Sequence, residues 1–343
     1  MIGLTRAAVW LPDEVETGRS IALMADLPLH VVEEKMGIIQ KCRAKADMHP
    51  SMMAIEAGKS VLEGHDPESV DMIIWTGSEY KDYNVWSAGI YVQEALGLKN
   101  AFAFDMAARC STNVVGLKVA KAMMMADKNL NKVLLCGGHR TGDLVNYKDP
   151  KSRFLYNLSD GGSAMLLERD KGNEILDSCV ITDGSFSEDV IIPAGGTRKP
   201  TRSGEYTEED TYLQVPDITG MRERLAEKSL QNFMKVIKTA AHSSMEKPID
   251  YLSLLHMKRS AHDDLLGRLE LSGEQSTYLD RYGHFGAPDQ VLSLGLAERY
   301  GKVKSGDHVM LASAGIGYTW SALSIKWTEN CFIQNTINHY EGA

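Results

Sequence analysis

Apolar residues in this chain follow two rhythms. Short, near-continuous runs alternate with stretches in which apolar positions recur three and four residues apart. The first pattern reads as buried strand and the second as amphipathic helix. Met1-Ile2-Gly3-Leu4-Thr5-Arg6 opens as a strand. The spacing from Ser51 to Leu62 predicts a helix that leads into a strand over 71–77. In the second half, a helix over 230–241 leads into a strand over 250–256. Further on, the run 132–138 corresponds to 308–315, and each is followed by a Ser-Ala strand, 162–167 and 320–325. Three correspondences in one order predict a duplicated α/β fold, with an N-terminal half over 1–170 and a C-terminal half over 171–343 packed as layers. In such sheets ligands gather beyond the carboxyl ends of strands, so reactive side chains are expected just after them.

Composition narrows the class. Of 343 residues, 43% are hydrophobic and 24% charged, as in an ordinary globular protein. A net charge of −9 argues against nucleic acid as a partner. No apolar run approaches the roughly 18–20 residues that span a bilayer, so no membrane insertion is expected. The amino terminus lacks the layout of a signal peptide. Five scattered cysteines (42, 110, 136, 179 and 331) form neither a C-x-x-C pair nor a zinc-spaced cluster. Reduced thiols in the cytoplasm, and no metal, are expected.

Cys110 stands out among them. The alternating stretch 101–106 predicts a strand; Ala107-Ala108-Arg109-Cys110 follows, and then apolar residues from Val114 to Met124 fall at helical spacing. Cys110 thus sits where a strand hands over to a helix. Unpaired N–H groups and the helix dipole there favour a thiolate by ~1–2 kcal/mol, and the same N–H groups can hold an oxyanion. Buried cysteines are also ordinary core residues. The other four read as structural.

Two of ten histidines follow buried strands in the second half. His256 closes Tyr251-Leu252-Ser253-Leu254-Leu255. His284 lies between Gly283 and the Phe285-Gly286 pair, ahead of the apolar helix with Val291, Leu292, Leu294 and Leu296. A histidine between glycines can approach a substrate closely. His139 follows Gly137-Gly138 on the same predicted side. His30, His49, His65, His242, His262, His308 and His339 read as loop or surface residues.

Taken in order, Ala107-Ala108-Arg109-Cys110-Ser111, Asp149-Pro150-Lys151-Ser152-Arg153, Ser159-Asp160-Gly161-Gly162, Leu255-His256, Asp280-Arg281-Tyr282-Gly283-His284 and Ala314-Gly315-Ile316-Gly317-Tyr318-Thr319-Trp320 resemble the β-ketoacyl-ACP synthase III branch of the thiolase superfamily. The resemblance spans nearly the whole chain. It implies a thiolase-like, duplicated five-layer α/β/α/β/α fold and a homodimer. It also implies an acyltransferase that joins an acyl thioester to a malonyl thioester through an acyl-cysteine. The substrates would be acyl-CoA with malonyl-CoA or malonyl-ACP; an acyl carrier protein is a possible partner, and no cofactor is implied. By the same resemblance Cys110 is the nucleophile and His256 the first catalytic histidine, and His284 takes a position that is normally Asn. The backbone N–H groups of Cys110 and Ile316 form the oxyanion hole. Arg153 contacts the coenzyme A nucleotide, and Lys258 and Arg259 face the carrier.

Several positions depart from the family pattern. A Cys-His-His set is typical of chain-elongating ketosynthases; neutral His donates one N–H as Asn does, but it can also take up a proton. His256-Met257-Lys258-Arg259 replaces His-Gln-Ala-Asn, and Ala261 stands where a basic residue is usual. Val85, beside Trp86, occupies the place of an aromatic that crosses the dimer. Glu79 lies one residue from the general-base glutamate of hydroxymethylglutaryl-CoA synthases, and reads as surface or capping. The run Arg198-Lys199-Pro200-Thr201-Arg202 reads as a solvated loop. Two other readings stay open: acyl transfer to an alcohol or amine or condensation without decarboxylation, and a catalytically silent partner subunit of another ketosynthase.

Overall fold

The computed structural model describes residues 1–242, 247–333 and 337, so His339 lies outside the described residues. The first half contributes β1 (Ile2–Trp10), β2 (Glu14–Thr17), α1 (Gly18–Met24), β3 (Gln40–Arg43), α2 (Pro50–Leu62) and β4 (Met72–Trp75). It continues with α3 (Ala88–Ala95), β5 (Phe102–Asp105), α4 (Thr112–Ala126), β6 (Lys132–Arg140) and β7 (Asp160–Arg169). The second contributes β8 (Asn173–Thr182), α5 (Ile218–His242), β9 (Tyr251–Leu254), α6 (Arg259–Arg268), α7 (Asp289–Arg299), β10 (His308–Gly315) and β11 (Thr319–Lys326).

The large sheet runs β5-β4-β6-β7-β1-β8-β11-β10-β9. β4 pairs in parallel with β5 and β6, and β6 antiparallel with β7, which pairs antiparallel with β1. The second half repeats this order: β9 parallel to β10, β10 antiparallel to β11, β11 antiparallel to β8. A parallel bridge between Leu252 and Ser276 stands where β5 stands beside β4. Among the described residues the two sets of strands meet only through β1 and β8, at Gly3–Glu174 and Leu4–Asn173.

Side-chain alternation along these strands sorts the core into layers. Ile74, Leu135, Met165, Val309 and Leu311 face α4 and α7 in the middle of the molecule. Ile73, Leu134 and Leu166 face α2 and α3 on one outside, and Leu254, Met310 and Ala322 face α5 and α6 on the other. The central helices are therefore covered on both sides, and α7 is buried from Asp289 to Glu298.

The helix expected over 230–241 starts earlier, at Ile218. Its first turns are rich in Arg, Glu and Lys, which hides the helical period. Met221 nonetheless packs inward with Val190, Leu213 and Val215. Arg198 and Lys199 pair with Glu188 and Asp210 of the same loop region, 2.6 Å each, as a solvated loop would. Among the described residues no helix is long and apolar enough to cross a membrane.

Candidate active site

β5 delivers the chain to the nucleophile turn and is pinned at its end. Asp105 accepts hydrogen bonds from Ala88 N–H (3.0 Å), Gly89 N–H (2.8 Å) and Lys81, capping α3. Burial alone would raise the Asp105 pKa, but Lys81 and these two amides outweigh it and hold it below the ordinary carboxylate value. Arg109, just before Cys110, has φ +54°. For a residue with a Cβ this left-handed geometry costs roughly 1–2 kcal/mol. Local bonds hold it: Thr112 Oγ1 donates to the Arg109 carbonyl (2.5 Å) and accepts from Ala108 N–H (2.9 Å). The Arg109 side chain pairs with Glu79 at 3.0 Å, both partly solvated, which gives Glu79 a surface role.

Cys110 follows in a short 3-10 turn that runs into α4. Ser313 Oγ donates to its carbonyl at 2.7 Å. Gly315 presses against the same turn: a Cβ there would fall 2.7 Å from the Ala108 carbonyl oxygen and 3.0 Å from the Cys110 nitrogen. Ile316 begins the turn from β10 to β11, directly after Gly315.

The loop after residue 282 brings His284 to the sulfur. Its backbone is built into the first half: His284 N–H donates to the Asn157 carbonyl (2.7 Å), and Ser159 N–H donates to the His284 carbonyl (2.9 Å). Buried Lys41 secures that strip, donating to the carbonyls of Tyr156 (3.0 Å) and Leu158 (2.6 Å) while pairing with Glu16 (3.1 Å). Burial lowers the Lys41 pKa to about 8 against the pull of Glu16. Gly286, at φ +86°, passes so close to His139 that a Cβ would lie 2.7 Å from its Nδ1.

His284 Nε2 stands 3.1 Å from Cys110 Sγ, and His284 Nδ1 stands 2.6 Å from Oδ2 of Asp289. Asp289 is fully buried on the first turn of α7. It also accepts from His256 N–H (2.7 Å) and Phe285 N–H (3.0 Å). Burial alone would lower the His284 pKa. The charges of Asp289 and Cys110, with hydrogen bonds to both, outweigh it and raise it well above the ordinary histidine value. Cys110 thus faces an imidazolium backed by a carboxylate.

His256 behaves in the opposite way. It is buried, and neither ring nitrogen has a hydrogen-bond partner among the described residues. Burial, then the charges of His284, His262 and Arg259, lower its pKa to about 3. The ring packs at a tilt against Tyr278 instead, with ring centroids 4.9 Å apart. His139 is likewise buried with Nε2 unpartnered, and burial and His284 lower its pKa to about 3.

Sequence reading and structure differ at several places. Asp289 escaped notice, because Pro288-Asp289 before an apolar run reads as a helix start; the spacing His284 to Asp289 was the available signal. His262 and His308, expected at the surface, are buried. His262 packs edge-on against Tyr278, and His308 meets Ser324 Oγ at 3.0 Å within the sheet. Both face inward because their elements, α6 and β10, are covered there. Arg153, Lys258 and Arg259 stand at the surface. Arg259 lies 3.6 Å above the Tyr278 ring and pairs with Asp280 at 3.1 Å. Val85 is fully exposed with φ +51°. None of the five cysteines, all among the described residues, forms a disulfide, and no cluster of metal-ligating side chains occurs among the described residues.

Comparisons with known proteins point one way. Residues 104–184 match the family model for 3-oxoacyl-[acyl-carrier-protein] synthase III, and 240–327 match its C-terminal counterpart. A β-ketoacyl-[acyl-carrier-protein] synthase III of Caldanaerobacter subterraneus is 28% identical over 337 residues, covering 95% of this chain and 98% of the relative. Among solved structures, the synthase III of Pseudomonas aeruginosa superposes with a TM-score of 0.83 at 19% identity, covering 96% of this chain and 98% of that one. That of Thermus thermophilus gives 0.82 at 23%, covering 96% and 100%. Both halves of the chain, and the mixed sheet that joins them, carry the likeness. The chain is a synthase III-like member of the thiolase superfamily.

Proposed function

We propose that this enzyme condenses an acyl thioester with a malonyl thioester through an acyl group held on Cys110. The observation that carries the reading is the 3.1 Å approach of His284 Nε2 to Cys110 Sγ, with the unpartnered imidazole of His256 tied to the same Asp289. The Cys110 thiolate attacks the acyl carbonyl. The N–H groups of Cys110 and Ile316 hold the oxyanion, and the departing thiolate leaves with a proton from His284. A malonyl thioester then loses carbon dioxide. His284 regains a proton from solvent, His256 and the renewed Nε2–H of His284 donate hydrogen bonds to the enolate oxygen, and the enolate carbon attacks the acyl-cysteine. Cleavage of the C–S bond returns the Cys110 thiolate.

The acyl donor is acyl-CoA, and the extender arrives on coenzyme A or on acyl carrier protein. The exposed basic side chains of Arg153, Lys258 and Arg259 support docking of a phosphate-bearing or acidic carrier. Ile90, Tyr91 and Phe102 expose apolar surface around the edge strand β5, which supports a homodimer. The halves 1–170 and 171–343 divide the labour, one holding the nucleophile and the other both histidines, and the enzyme works in the cytoplasm.

Incubation with a panel of acyl-CoA starters and malonyl-CoA or malonyl carrier, read by product mass and carbon dioxide release, tests this. One carbon dioxide per ketoacyl product supports the reading. A product that retains the carboxylate contradicts it.

A further inference from the structure

Cys110, His284 and Asp289 form a chain of contacts: sulfur to Nε2 at 3.1 Å, Nδ1 to a buried carboxylate at 2.6 Å. Decarboxylative condensation needs hydrogen-bond donors toward the enolate, and it makes no demand for a carboxylate behind one of them. A carboxylate on the far nitrogen of an imidazole serves a different task. It fixes the tautomer that presents Nε2 to the sulfur, and it stabilises the imidazolium formed when that nitrogen takes a proton. Such a histidine is a general base for an incoming O–H.

We infer that the enzyme also hydrolyses acyl thioesters, using Cys110–His284–Asp289 as a nucleophile, base and orienting carboxylate. The inference rests on the acyl-Cys110 of the reading above. Acylation releases coenzyme A as its thiol, the proton coming from His284, and leaves that imidazole neutral. In the second step His284 Nε2 removes a proton from water as the water oxygen attacks the acyl carbonyl. The C–S bond breaks, the carboxylic acid leaves, and the thiolate–imidazolium pair is restored. The sum is acyl-CoA plus water to carboxylic acid plus coenzyme A, with no oxidant or metal required.

Access and polarity fit this step. Cys110 is partly exposed, so water reaches the acyl carbonyl. Asp289 cannot drift from its task, since His256 N–H and Phe285 N–H hold its two oxygens from the other side. Asp289 is fully buried behind His284 and is a positioning residue that acts through it.

The test uses the full chain and an acyl-CoA shown by intact mass to load Cys110, with no malonyl thioester present. Released coenzyme A is followed by thiol colorimetry. The expected trace is a burst of one equivalent per active site followed by steady release over many equivalents, both absent in Cys110→Ala. In Asp289→Asn the burst persists while the steady rate falls about 10²-fold or more, and its pH profile loses the histidine limb. His284→Asn, a donor without an acid or base, fills the burst more slowly but to one equivalent and loses the steady release, should Asp289→Asn fail to fold. A wild-type burst that stops at one equivalent overturns hydrolysis and leaves the condensation reading standing. Absence of any burst overturns both. Equal loss of burst and steady rate in both variants also overturns it, since the pair would then serve acylation alone.

Discussion

His256 and His284 meet at one atom, Oδ2 of Asp289, which accepts the backbone N–H of the first and faces Nδ1 of the second. This shared oxygen locks the strand end after β9 to the start of α7. It also gives the two histidines opposite characters. His284 gains a counter-charge and holds its proton; His256 receives from Asp289 only a backbone bond, and burial holds its ring neutral.

His256→Ala should therefore separate the half-reactions. Acylation of Cys110 proceeds, and condensation slows by ~10²–10³, the usual cost of removing one oxyanion donor. Single-turnover acylation measured beside steady-state condensation checks this. Equal slowing of both steps would place His256 in acylation.

The buried histidines set an acid limit on stability. His139 and His256 have folded values near 3 against 6.5 for a free imidazole. Between these values the unfolded chain binds protons that the folded chain refuses. Their contribution is complete above about pH 6.5 and declines as pH falls toward 3, at roughly 1.4 kcal/mol per pH unit for each histidine. His284 has the reverse sign: its contribution is complete below 6.5 and is lost as pH rises above 6.5 and through the raised folded value. Urea unfolding from pH 7 to 4.5 should show a slope shallower by about 1.4 kcal/mol per unit in His139→Gln. Parallel slopes would contradict burial of a neutral His139.

Much of this was legible in the sequence, and the gaps have physical causes. Strand and helix periods located β4, β6, β9 and β10, and chemistry-bearing residues after strands pointed to Cys110, His256 and His284. The strands are apolar on both faces because helices cover both, which makes them easy to read. Asp289, Lys41 and His262 were not legible. Each is polar on an element whose polar face happens to be covered, so its burial is a tertiary fact. The positive φ of Arg109 left no trace either, because the residue there is not glycine.

Lys41 supports the strip that carries His284. Lys41→Met leaves the Tyr156 and Leu158 carbonyls without their donor and Glu16 without its counter-charge, though the Tyr147 hydroxyl still donates to it. The loss should be about 2–4 kcal/mol, with slower condensation. A change within about 0.5 kcal/mol, the scale of a surface substitution, would show that the strip holds without it.

Gly315 sets the nucleophile turn by its absence of a side chain. Gly315→Ala puts a methyl group 2.7 Å from the Ala108 carbonyl oxygen and 3.0 Å from the Cys110 nitrogen. Neither is a flexible side chain, so the turn must shift. Displacements of about 1 Å cost up to about 10²-fold in rate. Acylation by acyl-CoA should slow on that scale while the circular dichroism spectrum is retained. An unchanged acylation rate would mean that the turn tolerates the methyl group.

The most direct measurement is the intact mass of the protein after brief exposure to acyl-CoA, for the wild type and Cys110→Ala side by side. The wild type should gain the mass of one acyl group, and the variant none. An acyl adduct of equal yield on the variant would place the chemistry on another residue and contradict the mechanism.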